Sequence, residues 1–126
     1  MEIRPEETYT FEHAGHVFVW NVSKAWRLIE QAPRDIDMFR PAEQGVTEDH
    51  LRERYPDLDE EYAKTTDLSR PLLFVPYNGA AQLFDGWHRL FKAVRNKVSE
   101  LPAYLLTEEE ANACLELHIP PKGERT

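Results

Sequence analysis

Along this chain, the period at which apolar residues recur switches several times between about two residues and about 3.6 residues. That alternation of periods predicts a fold of short strands and helices. Residues 8–20 alternate and are rich in Thr, Tyr, Phe and Val, with Ala14-Gly15 interrupting them. This pattern predicts a β-hairpin with strands at about 9–12 and 16–20.

A helix is predicted directly after the hairpin, with Ser23 as its N-cap and Pro33 at its end. Four residues at helical spacing form its apolar face: Val22, Ala25, Trp26 and Ile29. Residues 33–46 contain two prolines and one glycine and predict a loop. Thr47 is expected to cap a second helix that runs to about Tyr55.

The second half of the chain has a more regular pattern. Strands are predicted at 71–76, 81–84 and 101–106. A turn is predicted at 77–79, and the pattern becomes helical from Trp87 onward. The apolar stripe of that helix is Trp87, Leu90, Phe91, Val94 and Val98. A capping box at 107–110 predicts a last helix to about residue 117, before Pro120.

These elements predict the α+β class, with a small mixed sheet and helices packed on it. A length of 126 residues fits a single domain over residues 1–126 with one modest core. Two consecutive prolines, Pro120 and Pro121, follow the last helix, so residues 119–126 are predicted to be a mobile tail.

The net charge of −8 argues against an extended nucleic-acid-binding face, which needs a basic surface. The single cysteine, Cys114, excludes an intrachain disulfide and fits a reducing compartment. No apolar stretch approaches the roughly 20 residues that span a bilayer, and the N-terminus does not have the pattern of a signal peptide. We therefore expect a cytoplasmic protein that does not associate with a membrane.

Two clusters of polar residues are candidates for metal binding. The acidic run at 57–61 lacks the alternating ligands and turn glycine of a calcium loop, so we interpret it as a solvated helical face. His13 and His16 flank the predicted hairpin turn and resemble a metal-binding pair, but the sequence offers no evident third ligand.

The densest chemistry lies where the strand at 81–84 meets the following helix. The sequence Asp85-Gly86-Trp87-His88-Arg89, called here the 85–89 box, places a carboxylate, a flexible turn, an imidazole and a guanidinium at a helix start. Helix N-termini attract anions through unpaired N–H groups and the helix dipole. Cations in a first turn oppose that dipole, and a local rule broken in this way often marks a functional site.

The two faces of this helix separate the candidate residues. His88, Lys92 and Arg95 share the polar side, whereas Trp87 lies on the apolar stripe and is expected in the core rather than as a stacking platform. A structural interpretation is also open, in which Arg89 pairs with Asp85 and His88 is simply exposed.

The strand, the 85–89 box, the amphipathic helix and the Glu-Leu-Pro-Ala-Tyr-Leu-Leu stretch at 100–106 together resemble the ParB/sulfiredoxin-like superfamily, over about residues 70–111. In that superfamily a Gly-x-[His/Arg]-Arg box binds phosphates of ATP, ADP or CTP. The resemblance implies that Gly86, His88 and Arg89 bind phosphate, and Trp87 and Lys92 are counted with them as cofactor-binding candidates.

The chain departs from two branches of that superfamily. Trp87 occupies the place of the reactive cysteine of sulfiredoxins, and Cys114 lies on the apolar face of the last helix, so reduction of a sulfinic acid is not expected. Partition proteins follow this domain with a helix-turn-helix for DNA, which these residues do not supply. The acidic charge agrees, so centromere binding is not expected either.

The resemblance leaves a nucleotide-binding domain, expected to be an ATP- or ADP-dependent phosphotransferase acting on a small hydroxyl-bearing or protein substrate. Asp85 would orient the box or approach Mg²⁺, and His88 would donate to a phosphate. Glu30 is the first candidate for the base and Glu43 the second. The alternatives are a non-catalytic module that senses nucleotide or binds a protein partner, and a ParB-like nuclease, against which the acidity counts.

Overall fold

The computed structural model describes residues 6–124. In chain order its elements are β1 (Thr8–His13), β2 (His16–Asn21), α1 (Val22–Gln31), β3 (Asp37–Phe39), α2 (Glu48–Arg54), α3 (Glu60–Ala63), β4 (Leu72–Tyr77), β5 (Ala80–Asp85), α4 (Trp87–Arg95), β6 (Leu101–Leu105), α5 (Glu108–Cys114), β7 (Leu115–Ile119) and a 3₁₀ helix (Lys122–Glu124). The described residues thus combine five α-helices with two small sheets, which confirms the predicted α+β class.

The contacts of the chain group into two compact units. The first joins the residues up to Pro33 to those from Leu106 onward, and the second is the continuous stretch Arg34–Leu105. Each unit has its own sheet. A single domain over residues 1–126 therefore stays a prediction.

The sheet of the first unit has the order β1-β2-β7, and all its strands are antiparallel. The predicted hairpin is confirmed, with its turn at Ala14 and Gly15, both of which have positive φ. The N-cap of α1 is Asn21 and not Ser23, because the Asn21 side chain accepts from Lys24 N at 2.8 Å. The Ser23 hydroxyl instead accepts from Glu7 N at 2.9 Å.

The last predicted helix is shorter than its capping box and apolar pattern indicated. The capping box at Thr107 and Glu110 forms as expected, but α5 ends at Cys114 and residues 115–119 form β7. Their apolar-polar alternation is that of a strand whose polar side chains are exposed. The predicted tail therefore begins too early, because Ile119 still belongs to β7 and pairs with Val17 of β2. Residues 125–126 of the predicted tail lie outside the described part of the chain.

The sheet of the second unit has the order β3-β6-β4-β5, with β4 and β6 parallel and the other pairs antiparallel. The prediction of a loop over 33–46 was wrong at β3, whose three residues pair with β6. Helix α4 connects β5 to β6 and buries three residues of its apolar stripe, Trp87, Leu90 and Phe91, together with Ala93. That burial fixes the 85–89 box at the end of a core strand.

The helices before β4 explain the acidic run. Thr47 caps α2 as predicted, and its hydroxyl accepts from His50 N. Asp59 caps α3 by accepting from the backbone N–H groups of Glu61 and Tyr62. The run is therefore only partly a solvated face, because it also supplies a helix cap and, as described below, a carboxylate for ion pairs.

Candidate functional site

The 85–89 box begins at a sharp backbone turn. Gly86 is the N-cap of α4 with φ 107°, in the left-handed region, and no side chain caps the helix. A Cβ added at Gly86 would lie 2.6 Å from Leu72 Cδ2 and 3.0 Å from Arg89 Nη2. Only glycine fits both this backbone conformation and this space, so the turn at the start of α4 depends on Gly86, which is itself buried.

Arg89 lies over that turn. Its Nη2 donates to the carbonyl of Pro71 at 2.9 Å and lies 3.7 Å from Asp85 Oδ2. Its side chain is only 11% exposed, and its buried Nε has no hydrogen-bond partner in the described part of the chain. The pairing of Arg89 with Asp85 is the structural interpretation that the sequence had left open; the unsatisfied Nε is not explained by that pairing.

Asp85 ends β5 and keeps 31% of its side chain exposed. It was predicted to orient the box or to approach Mg²⁺. Within residues 6–124, no group of three or more His, Cys, Asp or Glu side chains is arranged to hold a metal ion. The structure thus gives Asp85 a position beside Arg89, and its metal role stays a prediction.

Trp87 is a core residue in the second unit. Its side chain is buried, and its ring stacks on Tyr55 with centroids 5.3 Å apart. This is the position expected from its place on the apolar stripe of α4. A direct contact of Trp87 with a cofactor stays a prediction.

His88 points toward α3. Its Nε2 accepts a hydrogen bond from Asp59 N at 3.1 Å, and the rings of Tyr55 and Tyr62 contact it edge-on. Burial, helped by the positive charge of Arg89, lowers the pKa of His88 against the opposing effect of two nearby aspartates. A neutral ring is what this hydrogen bond requires, because only an unprotonated Nε2 can accept.

The other cations of α4 are bonded to the same neighbouring part of the chain. Lys92 Nζ donates to the Thr66 carbonyl at 2.6 Å, and Arg95 pairs with Glu48 at 2.6 Å and with Glu60 at 2.9 Å. We call residues 47–67, which contain α2 and α3, the α2–α3 segment. This segment contacts the cationic face of α4, which the sequence analysis had considered as a phosphate-binding face. The spacing of residues in α4 alone could not have predicted this contact.

The two candidate bases belong to different units. Glu30 is exposed near the end of α1 in the first unit. Glu43 is exposed between β3 and α2 in the second unit, and no hydrogen bond or ion pair joins it to the 85–89 box in the described structure. The role of either residue as a base stays a prediction.

Two adjoining cavities lie in the second unit, and Trp87 is the only residue of the 85–89 box that lines either of them. A cavity of about 190 Å³ is lined by Trp87 and Leu90 of α4 and by Leu51 of α2. A larger one of about 380 Å³ is lined mainly by β3, β5 and β6. Four residues line both cavities, so they form one groove: Phe39, Gln44, Phe74 and Ala81.

The predicted pair of histidines takes part in a different contact from the one expected. His13 and His16 are opposite each other in the hairpin register. However, the ring that His16 meets is that of His118 on β7, with His16 Nδ1 and His118 Nε2 2.9 Å apart. Sequence reasoning missed His118 because it placed the residue after a helix; the alternation of residues 115–119 was the signal that could have found it.

Comparison with known proteins adds no relatives: no family model, no curated protein and no solved structure matches this chain. Among residues 6–124, no helix is both long and apolar enough to cross a membrane.

Proposed function

We propose that the chain binds a nucleotide, with its phosphates on the 85–89 box. The observation that carries the proposal is the start of α4, where Gly86 holds a left-handed turn, no side chain caps the helix, and the Arg89 guanidinium lies beside the glycine. Helix N–H groups next to a guanidinium form an anion site, because both supply hydrogen bonds and positive charge to the same oxygens.

The bonding of Arg89 supports the same proposal. A guanidinium has five N–H donors, and here one buried donor, Nε, is unused among the described residues. Leaving such a donor unsatisfied costs about 1–3 kcal/mol. A phosphate bound with a small shift of the Arg89 side chain would satisfy this buried donor.

The groove that Trp87 borders supports a ligand larger than phosphate alone. Its larger part, about 380 Å³, is within the range typical of small-molecule sites, and Phe39 and Phe74 line it with their rings 5.0 Å apart. Aromatic walls suit a planar base, which stacks on them. We therefore propose ATP, ADP or CTP, with Mg²⁺ on the phosphates and Asp85 near the metal.

Phosphoryl transfer is the fuller form of this proposal. The terminal phosphoryl group would pass from the nucleotide to a hydroxyl of a small or protein substrate, and the hydroxyl proton would go to a carboxylate, for which Glu43 is the candidate within the second unit. Because His88 Nε2 accepts from Asp59 N, only the N–H at Nδ1 is left to donate to a phosphate. Arg89 and the helix N-terminus are therefore the primary phosphate ligands in this proposal.

Calorimetric titration with ATP, ADP and CTP, with and without Mg²⁺, tests nucleotide binding. We expect wild type to bind at least one of them, and Arg89→Lys to weaken that binding about tenfold, because lysine lacks the planar fork of donors. Arg70→Lys is the matched control, since Arg70 is exposed and outside the box. No binding by wild type at millimolar nucleotide would sink the proposal.

A protein-interaction module is the second candidate function. The second unit exposes three large apolar side chains at or beside β3 and β6: Ile36 at 49%, Met38 at 42% and Leu105 at 46%. Exposed apolar side chains gathered near one groove favour a protein partner. This candidate gains if no nucleotide binds and Met38→Ser leaves the fold intact while abolishing capture of a partner.

A further inference from the structure

We propose that His16 and His118 bind one divalent transition-metal ion, such as Zn²⁺, in the first unit. This site is separate from the nucleotide proposal and shares no residue with it. It rests on the convergence of two imidazole nitrogens from two different strands, at an exposed edge of the sheet β1-β2-β7.

The register of the sheet brings the two histidines to one face. Phe18 of β2 is paired with His118 of β7, so their side chains point the same way. His16 is two residues before Phe18 on the same strand and therefore shares that face. This places the imidazoles diagonally across neighbouring strands, and their ring centroids are 5.2 Å apart.

The two nitrogens that meet are both potential metal ligands. His16 Nδ1 and His118 Nε2 are 2.9 Å apart, so one of them must carry the proton that the other accepts. Two imidazoles bound at about 2.0–2.1 Å to a tetrahedral ion have their nitrogens roughly 3.3 Å apart. A metal ion can therefore replace the shared proton after an opening of only about 0.4 Å.

Phe18 holds both rings in position. Its ring stacks on His118 with centroids 4.4 Å apart and planes 5° apart, and on His16 with centroids 5.8 Å apart. Metal ligands bind tightly when their surroundings fix the ring orientation in advance. His118 is exposed and His16 is half-buried, so an ion can arrive from solvent, and water can fill the remaining coordination positions.

The chemistry of the donors selects the ion. Imidazole nitrogens suit Zn²⁺, Ni²⁺ and Cu²⁺, whereas Mg²⁺ and Ca²⁺ prefer oxygen ligands. The site has two protein ligands, which agrees with the finding that no three-ligand group exists in residues 6–124. Binding would join β2 to β7, strands whose two histidines are 102 positions apart in the sequence, so it stabilises the folded first unit.

The test uses the full chain without a histidine tag, treated with EDTA and then titrated with Zn²⁺ or Mg²⁺ while Tm is measured. We expect Zn²⁺ to bind once per chain at micromolar concentration and to raise Tm, EDTA to reverse the rise, and Mg²⁺ to have no effect. His118→Gln and His16→Gln should each weaken Zn²⁺ binding about tenfold or more. His50→Gln, which changes an exposed histidine of α2, should not.

A second measurement does not depend on any variant folding. In the wild type, Ni²⁺ should broaden the ring proton signals of His16 and His118 at concentrations that leave the ring signals of His50 sharp. Two results would overturn the proposal: no single-site Zn²⁺ binding by wild type below millimolar concentration, or equal binding by wild type and the His16→Gln/His118→Gln double variant.

Discussion

Gly86 determines whether α4 can begin where it does. Its positive φ and the nearness of Leu72 leave no room for a Cβ, and both conditions hold at the residue that opens the candidate anion site. The single glycine therefore serves the fold and the proposed function together. A substitution there tests the first without any knowledge of the ligand.

We predict that Gly86→Ala destabilises the protein by about 2–4 kcal/mol, because it adds overpacking against Leu72 to the strain of a positive φ. Gly45→Ala is the matched control: Gly45 also has positive φ, at 68°, but nothing lies within 4 Å of an added Cβ. It should cost only about 1 kcal/mol. Urea unfolding measures both, and equal losses would show that the contact with Leu72 does not matter.

At the level of single residues, the sequence could predict which side chains the box contains but not what they contact. Trp87 was assigned to the core because its neighbours repeat at helical spacing. The partners of His88 and Lys92 come from residues about 29 and 26 positions away, and no local pattern encodes such pairings. The contact of His16 with His118 was missed for a different reason, because residues 115–117 were assigned to a helix although they alternate as a strand.

The α2–α3 segment and α4 are joined by polar contacts along the face opposite the core. Glu60 accepts from both Arg52 and Arg95, and each of these arginines also lies over the ring of Phe91. Exposed ion pairs of this kind contribute little individually and weaken with salt. The contact that depends most on protonation is the bond from Asp59 N to His88.

We predict that this contact makes stability fall as the pH falls. The pKa of His88 lies below its usual value of 6.5 in the folded protein, mainly because of burial. Its stabilising contribution is therefore complete above the pKa of the unfolded chain and is lost as the pH falls through the folded pKa. Between about pH 7.5 and pH 5, wild type should lose more unfolding free energy than His88→Gln.

The glutamine variant keeps an acceptor for Asp59 N but does not titrate in this range. His50→Gln is the matched control, because it makes the same substitution at an exposed histidine outside the contact with Asp59. Denaturant unfolding at each pH supplies the free energies. If wild type and His88→Gln showed the same pH dependence, the neutral ring of His88 would not be what holds α3.

At the level of elements, long periodic segments could be predicted and short strands could not. Helix α4 and the β4–β5 hairpin have patterns that local sequence determines. β3 has only three residues, and its strand conformation depends on pairing with β6. β7 follows α5 without a break, and the sequence of residues 115–117 is compatible with either a helix or a strand. Pairing with β2 makes these residues a strand.

The whole molecule consists of one unit inserted into another. The first unit contains both ends of the described chain, and Arg34–Leu105 lies between its two pieces. The ends of the second unit are held close to each other, since Arg34 Nη1 donates to the Leu105 carbonyl at 3.4 Å. While it is folded, the second unit therefore acts as a short connection between the pieces of the first.

We predict that the two units unfold together. If the second unit unfolds, the contact between β2 and β7 has to close a long flexible loop instead of a short one, which costs entropy. Cys114 reports on the first unit, because it is buried and burial raises the pKa of its thiol. A thiol reagent should modify it only after opening, with the same opening free energy that amide exchange gives for Ala93 in α4.

Denaturant added in small steps should change both opening free energies in parallel, because one cooperative transition exposes both residues. A much lower opening free energy for Cys114 than for Ala93 would contradict the prediction, and with it the expectation of a single domain over residues 1–126.

The inserted arrangement also sets an order of events during translation. β1, β2 and α1 leave the ribosome before the second unit. β7, which pairs with the other edge of β2, ends at Ile119 and emerges only after the whole second unit. In chain order Arg34–Leu105 leaves the ribosome before β7, so the nascent β2 keeps an open edge until β7 follows. The sheet of the first unit is thus completed only after the whole second unit has been made.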